Sequence, residues 1–286
     1  MILRLELVVS LWVGRLLLIW ALLWPVYRLL GSSSFLQSTD ADAQLFTSGA
    51  EQLVILARAQ AQPMASLLPA LTLLAAIAAG CALLASSMSW VSLYHSYSIR
   101  DPRLWKDCLS VLPRFAGIGT ALLVVLSGLV TVWWELLPIV GNALVPLFGE
   151  RRTDLCQLLI LALLGTALGA SFVVADVIRA VSLAAPALDL LESARAGLRL
   201  FRIRLIPVSI QAGCRFFVGV MLQVGNIWLI ARLRWLASAH PYWLLACLTT
   251  EAAAISAIWL RLSWMAWLCN LVVTMQPRPA SPECPQ

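Results

Sequence analysis

LLESARAGLRLFRIRLIPVSIQAGCRFFVGVMLQVGNIWLI, residues Leu190 to Ile230, holds the pattern that decides the fold. Its first half sets Leu191, Ala194, Leu198, Phe201 and Leu205 at helical spacing on one side, and Arg195, Arg199 and Arg202 together on another. That describes a basic amphipathic helix lying in a membrane interface. Pro207 is expected to end it. A span of about 24 residues follows, long enough to cross ~30 Å of hydrocarbon at ~1.5 Å per residue. Within the span Gln211, Arg215, Gly219, Gln223 and Asn226 recur every three or four positions and form one polar and small stripe. An Arg turned to lipid at that depth is costly, so the stripe has to face protein or water, and the helix needs partners.

The rest of the chain supplies them. Of 286 residues, 61% are hydrophobic and 12% charged, with a mean hydropathy of +0.89. A globular domain of this composition lacks the polar surface to dissolve. The expectation is an all-α polytopic membrane protein with six transmembrane helices at about 11–31, 64–93, 115–137, 155–184, 208–231 and 242–273. They form a single domain over 1–275, followed by a disordered Pro-rich tail over 276–286. The opening apolar run reads as a membrane helix and not a cleaved signal peptide, because it is long, holds Trp12, Trp20 and Trp24, and lacks an A-x-A-like site. In the polar stretch after it, Ser48 to Glu51 has capping-box spacing and predicts a short helix on the outer surface.

Arg100-Asp101-Pro102 opens a second amphipathic helix before span 3, with Asp101 as cap and Pro102 in its first turn. Leu104, Trp105, Cys108, Leu109 and Leu112 make its apolar face, Arg103, Lys106 and Asp107 its wet one, and Pro113 is expected to end it. The seven cysteines include no C-x-x-C pair and read as small buried hydrophobes. Gly165 and Gly169 in span 4 read as a helix-packing site, with a dimer motif as the alternative. The net charge of +6 sits mainly in loops and helix ends, which suits anionic headgroups and not nucleic acid. Arg100, Arg103, Lys106, Arg114, Arg195, Arg199, Arg202 and Arg204 lie in the loops between spans 2 and 3 and spans 4 and 5, against Arg58, Arg151 and Arg152 in the large loops opposite. The positive-inside rule then puts both termini in the cytoplasm and the chain in an inner membrane.

The two amphipathic helices share a design: a basic face, a Pro after Leu112 or Ile206, and a span opening with Gly117 or Gly213. The pattern from Ala184-Ala185-Pro186 through Leu191-Glu192-Ser193-Ala194-Arg195 and Arg199-Leu200-Phe201 resembles the six-span membrane domain of bacterial glycerophosphodiester phosphodiesterases and related uncharacterised inner-membrane proteins. The resemblance implies the membrane fold and not the phosphodiesterase activity, which belongs to a soluble barrel in those enzymes.

Catalytic patterns are absent from the sequence: no GxxxxGK[ST] loop, no HExxH, no paired metal-ligand cysteines. His95 and His240 fall at opposite membrane faces. No enzyme activity, cofactor or metal is expected. The remaining signal is a set of intramembrane polar residues, Asp176, Arg179, Gln211, Arg215, Gln223, Asn226, Glu251 and Arg261, with Asp176 and Arg215 at matching depth as an expected pair. They read either as interhelical pairs holding register or as the lining of a wet cavity. The interfacial basic face comprises Arg103, Lys106, Arg195, Arg199 and Arg202. The leading expectation is a non-catalytic structural or lipid-associated module with anionic lipid partners. The alternative is a permease-like transporter subunit whose route follows span 5 and whose amphipathic helices dock a membrane or cytoplasmic protein. Single cysteines introduced near Asp42 and Arg151 are expected to react with an impermeant reagent on intact cells, and those near Lys106 and Arg199 to be protected; the reverse pattern inverts the topology.

Overall fold

The computed structural model describes residues 5–31, 61–148, 150–236 and 241–275, and these are almost wholly α-helical, with no strand among them. The expected short helix near Ser48 and the Pro-rich tail lie outside the described residues. The helices are α1 (Leu5–Gly31), α2 (Ala61–His95), α3 (Pro102–Phe148), α4 (Glu150–Ala184), α5 (Leu190–Ile203), α6 (Leu205–Leu236) and α7 (Pro241–Met275). Five carry stretches long and apolar enough to cross a membrane: Thr72–His95, Pro102–Val140, Cys156–Ala184, Leu205–Arg232 and Leu245–Met275. The chain is therefore an all-helical, multi-pass membrane protein, because only a helix satisfies its own backbone polar groups in hydrocarbon.

The residues fall into two compact units. Leu5–Ala85 holds α1 and the first part of α2. There α1 runs on through Pro25, and Trp20 and Trp24 sit one turn apart with ring centres 5.1 Å from each other.

The second unit takes in the described residues from Ser86 onward. Its centre is α4, which packs against α3, α5 and α7, while α6 packs on α7 and α5 also touches α3 and α6. The buried side chains gather at one end: Trp90 and Val91 near the end of α2, Leu104 and Phe115 early in α3, Val177 and Ala180 late in α4, Leu262 and Leu268 late in α7. Toward the other end α3, α4 and α6 expose Leu123, Val124, Trp134, Leu159, Leu163, Phe216 and Phe217. So large an apolar surface is unsustainable in water and natural against lipid tails.

The turns at the packed end are closed by short-range hydrogen bonds. After His95 the chain reverses through Ser96, at a left-handed φ of 59° that glycine usually supplies, and the Ser92 hydroxyl donates to the Tyr97 carbonyl at 2.8 Å. The Asp101 carboxylate accepts from the Arg103 N–H at 2.9 Å and caps α3. Asp189 caps α5 in a capping box, accepting from the Glu192 N–H at 2.6 Å while the Glu192 carboxylate accepts from the Asp189 N–H at 3.4 Å. Arg114 on α3 reaches across to donate to the Pro186 carbonyl at 2.6 Å and pins the turn between α4 and α5.

Both expected proline stops are corrected. Pro113 does not end a helix; α3 runs unbroken from Pro102 to Phe148. Proline removes one ladder hydrogen bond, a local loss that a long helix packed along its side tolerates. The second break comes earlier than Pro207: Arg204 alone separates α5 from α6, and Pro207 occupies the first turn of α6, where its missing N–H has no intrahelical partner to lose. Gly165 and Gly169 are corrected too, since their Cα positions face open space among the described residues and not another helix.

The close helix contact is instead at Gly197. A Cβ there would stand 2.7 Å from Ile178 Cγ1 and 3.0 Å from its Cα. Backbone cannot yield as a side-chain tip can, so only glycine lets α5 lie this near α4. Gly197→Ala is expected to lower thermal stability in detergent by about 1–3 kcal/mol through overpacking. Gly213→Ala, with nothing within 4 Å of the new methyl, is expected to be neutral or slightly stabilising; equal melting of the two variants would contradict the close approach.

Candidate functional site: a carboxylate held by two guanidiniums and an indole

The polar residues expected in the membrane divide into a compact node and outliers. Asp176, on the face of α4 toward α7, is only 1% exposed. Its Oδ1 accepts from Arg261 Nη2 at 2.7 Å and from Arg179 Nη1 at 3.0 Å; its Oδ2 accepts from Arg261 Nη1 and from the Trp264 indole N–H at 3.0 Å. Arg261 thus grips the carboxylate with both prongs, the planar match that makes arginine the strong partner for this group. Four donors fill the roughly four lone-pair directions that a carboxylate offers.

The expected pairing of Asp176 with Arg215 is corrected. Arg215 Nε donates to the Ser263 hydroxyl at 3.2 Å, and its Nη1 donates to the Gln211 carbonyl at 3.2 Å and to Gln211 Oε1. Its guanidinium carbon lies 5.8 Å from the centre of the Trp264 ring, in cation–π range. Trp264 therefore joins the two halves: its edge serves Asp176 on α4 and its face serves Arg215 on α6. Depth alone matched Asp176 to Arg215; the rotation of α7 between them gave the carboxylate to Arg261, three residues before Trp264 on the same helical face.

Arg179 closes the node on its own helix. It shares Asp176 Oδ1, and its guanidinium carbon lies 6.0 Å from the Phe115 ring on α3, while its buried Nε has no hydrogen-bond partner among the described residues. The remaining expected residues stand apart. Gln223 on α6 is exposed, Asn226 has a buried Oδ1 without a hydrogen bond among the described residues, and Glu251 lies ten positions before Arg261 on α7. Arg232, near the other end of α6, lies over the Trp228 ring at 5.5 Å.

The basic face divides between two elements. Arg103 and Lys106 are exposed in the first turns of α3, and Arg195, Arg199 and Arg202 are exposed on α5. Between them, His95 stacks on Tyr97 with ring centres 5.2 Å apart. Desolvation, and after it the Asp107 carboxylate that accepts from its hydroxyl, raise the Tyr97 phenol above its ordinary value.

Two arginines around one carboxylate leave positive charge in excess. What the node does chemically is tie α4, α6 and α7 together. Among the described residues no group of His, Cys, Asp and Glu has the geometry to hold a metal ion. Sequence reasoning missed Trp264 and Ser263; the signal available for Trp264 was its three-residue offset from Arg261.

Asp176→Leu is expected to lower stability in detergent by ~3–5 kcal/mol, because it strands the buried Arg179 guanidinium, and Arg261→Leu by less, because Arg179 and Trp264 still bond the carboxylate. The double variant is expected to lose clearly less than the sum, and strict additivity in a thermal double-mutant cycle would mean that the two residues are uncoupled. No protein-family model matches the chain, and neither does any curated protein or solved structure.

Proposed function

We propose that this chain is a non-catalytic structural and lipid-associated module of a bacterial inner membrane, with six spans, both termini in the cytoplasm, and α1 as the first span. The observation that carries the reading is the saturated Asp176 node, in which the most buried charge of the second unit is spent on joining helices. A carboxylate serving an ion or proton route needs a free lone pair or a water, and here both oxygens are occupied by donors on α4 and α7.

The lipid association rests on how α5 is shared out. Ser193 and Gly197 are buried, Leu191 and Leu198 are exposed, and Arg195, Arg199 and Arg202 are exposed along the flank beside them. Such a helix at an interface turns its leucines to the acyl chains and its arginines to headgroups. The first turns of α3 repeat the arrangement, with Leu104 and Cys108 buried, Trp105 and Leu109 exposed, and Arg103 and Lys106 facing outward. The likeness to the membrane domain of glycerophosphodiester phosphodiesterases fits the same reading.

Purified from membranes under mild conditions, the protein is expected to carry anionic phospholipid in excess over zwitterionic, and to lose most of that excess when Arg195, Arg199 and Arg202 are changed to Gln. Each removed charge should cost about fivefold in binding, the worth of one basic residue at an anionic surface. Stoichiometric co-purification of an ATPase or a substrate-binding protein would overturn the reading in favour of a permease-like subunit with its route along the polar stripe of α6.

A further inference from the structure

A cavity of about 350 Å³ lies between α3 and α4, with α5 across one end. Its walls are hydrocarbon, with Gly117, Ala121 and Val125 from α3, Ala170 from α4, and Leu190 and Ala194 from α5. The one hydroxyl on the wall, Ser171, donates to the Ala167 carbonyl of its own helix at 2.9 Å. A buried water needs two to four polar partners, and a polar solute needs more, so neither has a place here. Ala121, Val125 and Ala170 are exposed, so the groove opens sideways from the bundle along the length of two membrane-crossing helices. From Gly117 to Val125 it runs eight residues, or ~12 Å at ~1.5 Å per residue.

Small residues, Gly117, Ala121, Ala170 and Ala194, are prominent in its lining. At the closed end Leu190 occupies the room that Gly117 leaves, its Cδ2 standing 2.9 Å from where a Cβ at 117 would be. That end is also the basic one. Arg114, one turn before Gly117, is held at the α4–α5 turn by its bond to the Pro186 carbonyl, and Arg195, beside Ala194, is exposed. The carboxylates nearby, Asp189 and Glu192, are engaged with backbone amides in the capping box of α5.

We propose that this groove seats one acyl chain of an anionic phospholipid, with the phosphate lying against Arg114 and Arg195. The proposal rests on the membrane-module reading and adds to it a specific seat. The apolar wall selects hydrocarbon, the lateral opening admits it from the bilayer, and the guanidiniums at the closed end select the sign of the headgroup.

The test uses the full chain in vesicles of phosphatidylethanolamine and phosphatidylglycerol, carrying a trace of either lipid with a photoactivatable diazirine in one acyl chain. With the phosphatidylglycerol probe, label is expected to concentrate on peptides covering 117–125 and 170–178, severalfold above the more exposed Phe216–Phe217 region of α6. Ala121→Leu combined with Ala170→Leu should abolish that enrichment, whereas Gly213→Leu, placed in open space on α6, should leave it intact and control for added bulk. Arg114→Gln and Arg195→Gln should each reduce capture of the phosphatidylglycerol probe by about fivefold and leave the phosphatidylethanolamine probe unchanged. Even labelling of α3, α4 and α6, or enrichment that survives filling the groove, would overturn the seat. If that happens while anionic probes still gather at α5, the module reading stands without the groove; loss of all anionic preference removes both.

Discussion

Two transmembrane helices gain little from burying leucine against leucine, since lipid tails are as apolar as the partner helix, so polar contacts and close backbone approach must fix their register. Here that constraint is met by the Asp176 carboxylate. It belongs to α4, which packs against α3, α5 and α7, and it takes both prongs of Arg261 and the indole N–H of Trp264 from α7. Through the other side of the indole the same point reaches Arg215 on α6. A shift of α7 by one residue would turn Arg261 and Trp264 away together. The node therefore sets rotation and depth at once, which an apolar interface does only loosely.

Around that point the second unit is dense at one end and open at the other. Small side chains make the density possible: Gly197 lets α5 lie on Ile178, and Ser193 beside it is fully buried. The capped turns Ser96–Asp101 and Ala185–Asp189 close the same end without a long loop. The apolar faces exposed at the other end suit lipid tails, and the groove between α3 and α4 is where two of those faces fail to fill the space between them.

Much of this was legible in the sequence because hydrocarbon imposes length and polarity rules that composition obeys directly. Five of the expected spans correspond to long apolar helices, and Asp101 caps as its neighbours suggested. The polar stripe placed Gln211 and Arg215 together correctly. Partner choice was not legible, because it depends on how each helix is rotated about its axis, and Arg261 and Arg215 lie at similar depth on different helices. The proline stops failed for a related reason. Proline forbids one hydrogen bond but does not dictate where a helix ends, and here Arg204 marks a boundary that Pro207 merely follows. Gly197 gave no signal apart from being a glycine, since its role depends on Ile178, nineteen positions earlier in sequence and known as a neighbour only once folded.

The spacing of the node along the chain bears on how the protein is made. Arg261 follows Asp176 by 85 residues, so at ~5–20 residues per second the ribosome needs ~4–17 s to deliver the second arginine after the carboxylate has been synthesised. During that interval α4 enters the bilayer with a charge whose final partner does not yet exist. Arg179, one turn away on the same helix, is already there and bonds the same carboxylate. The local pair lets α4 insert with its charge compensated, and α7, arriving last of the described helices, completes the grip and commits the assembled bundle to one arrangement.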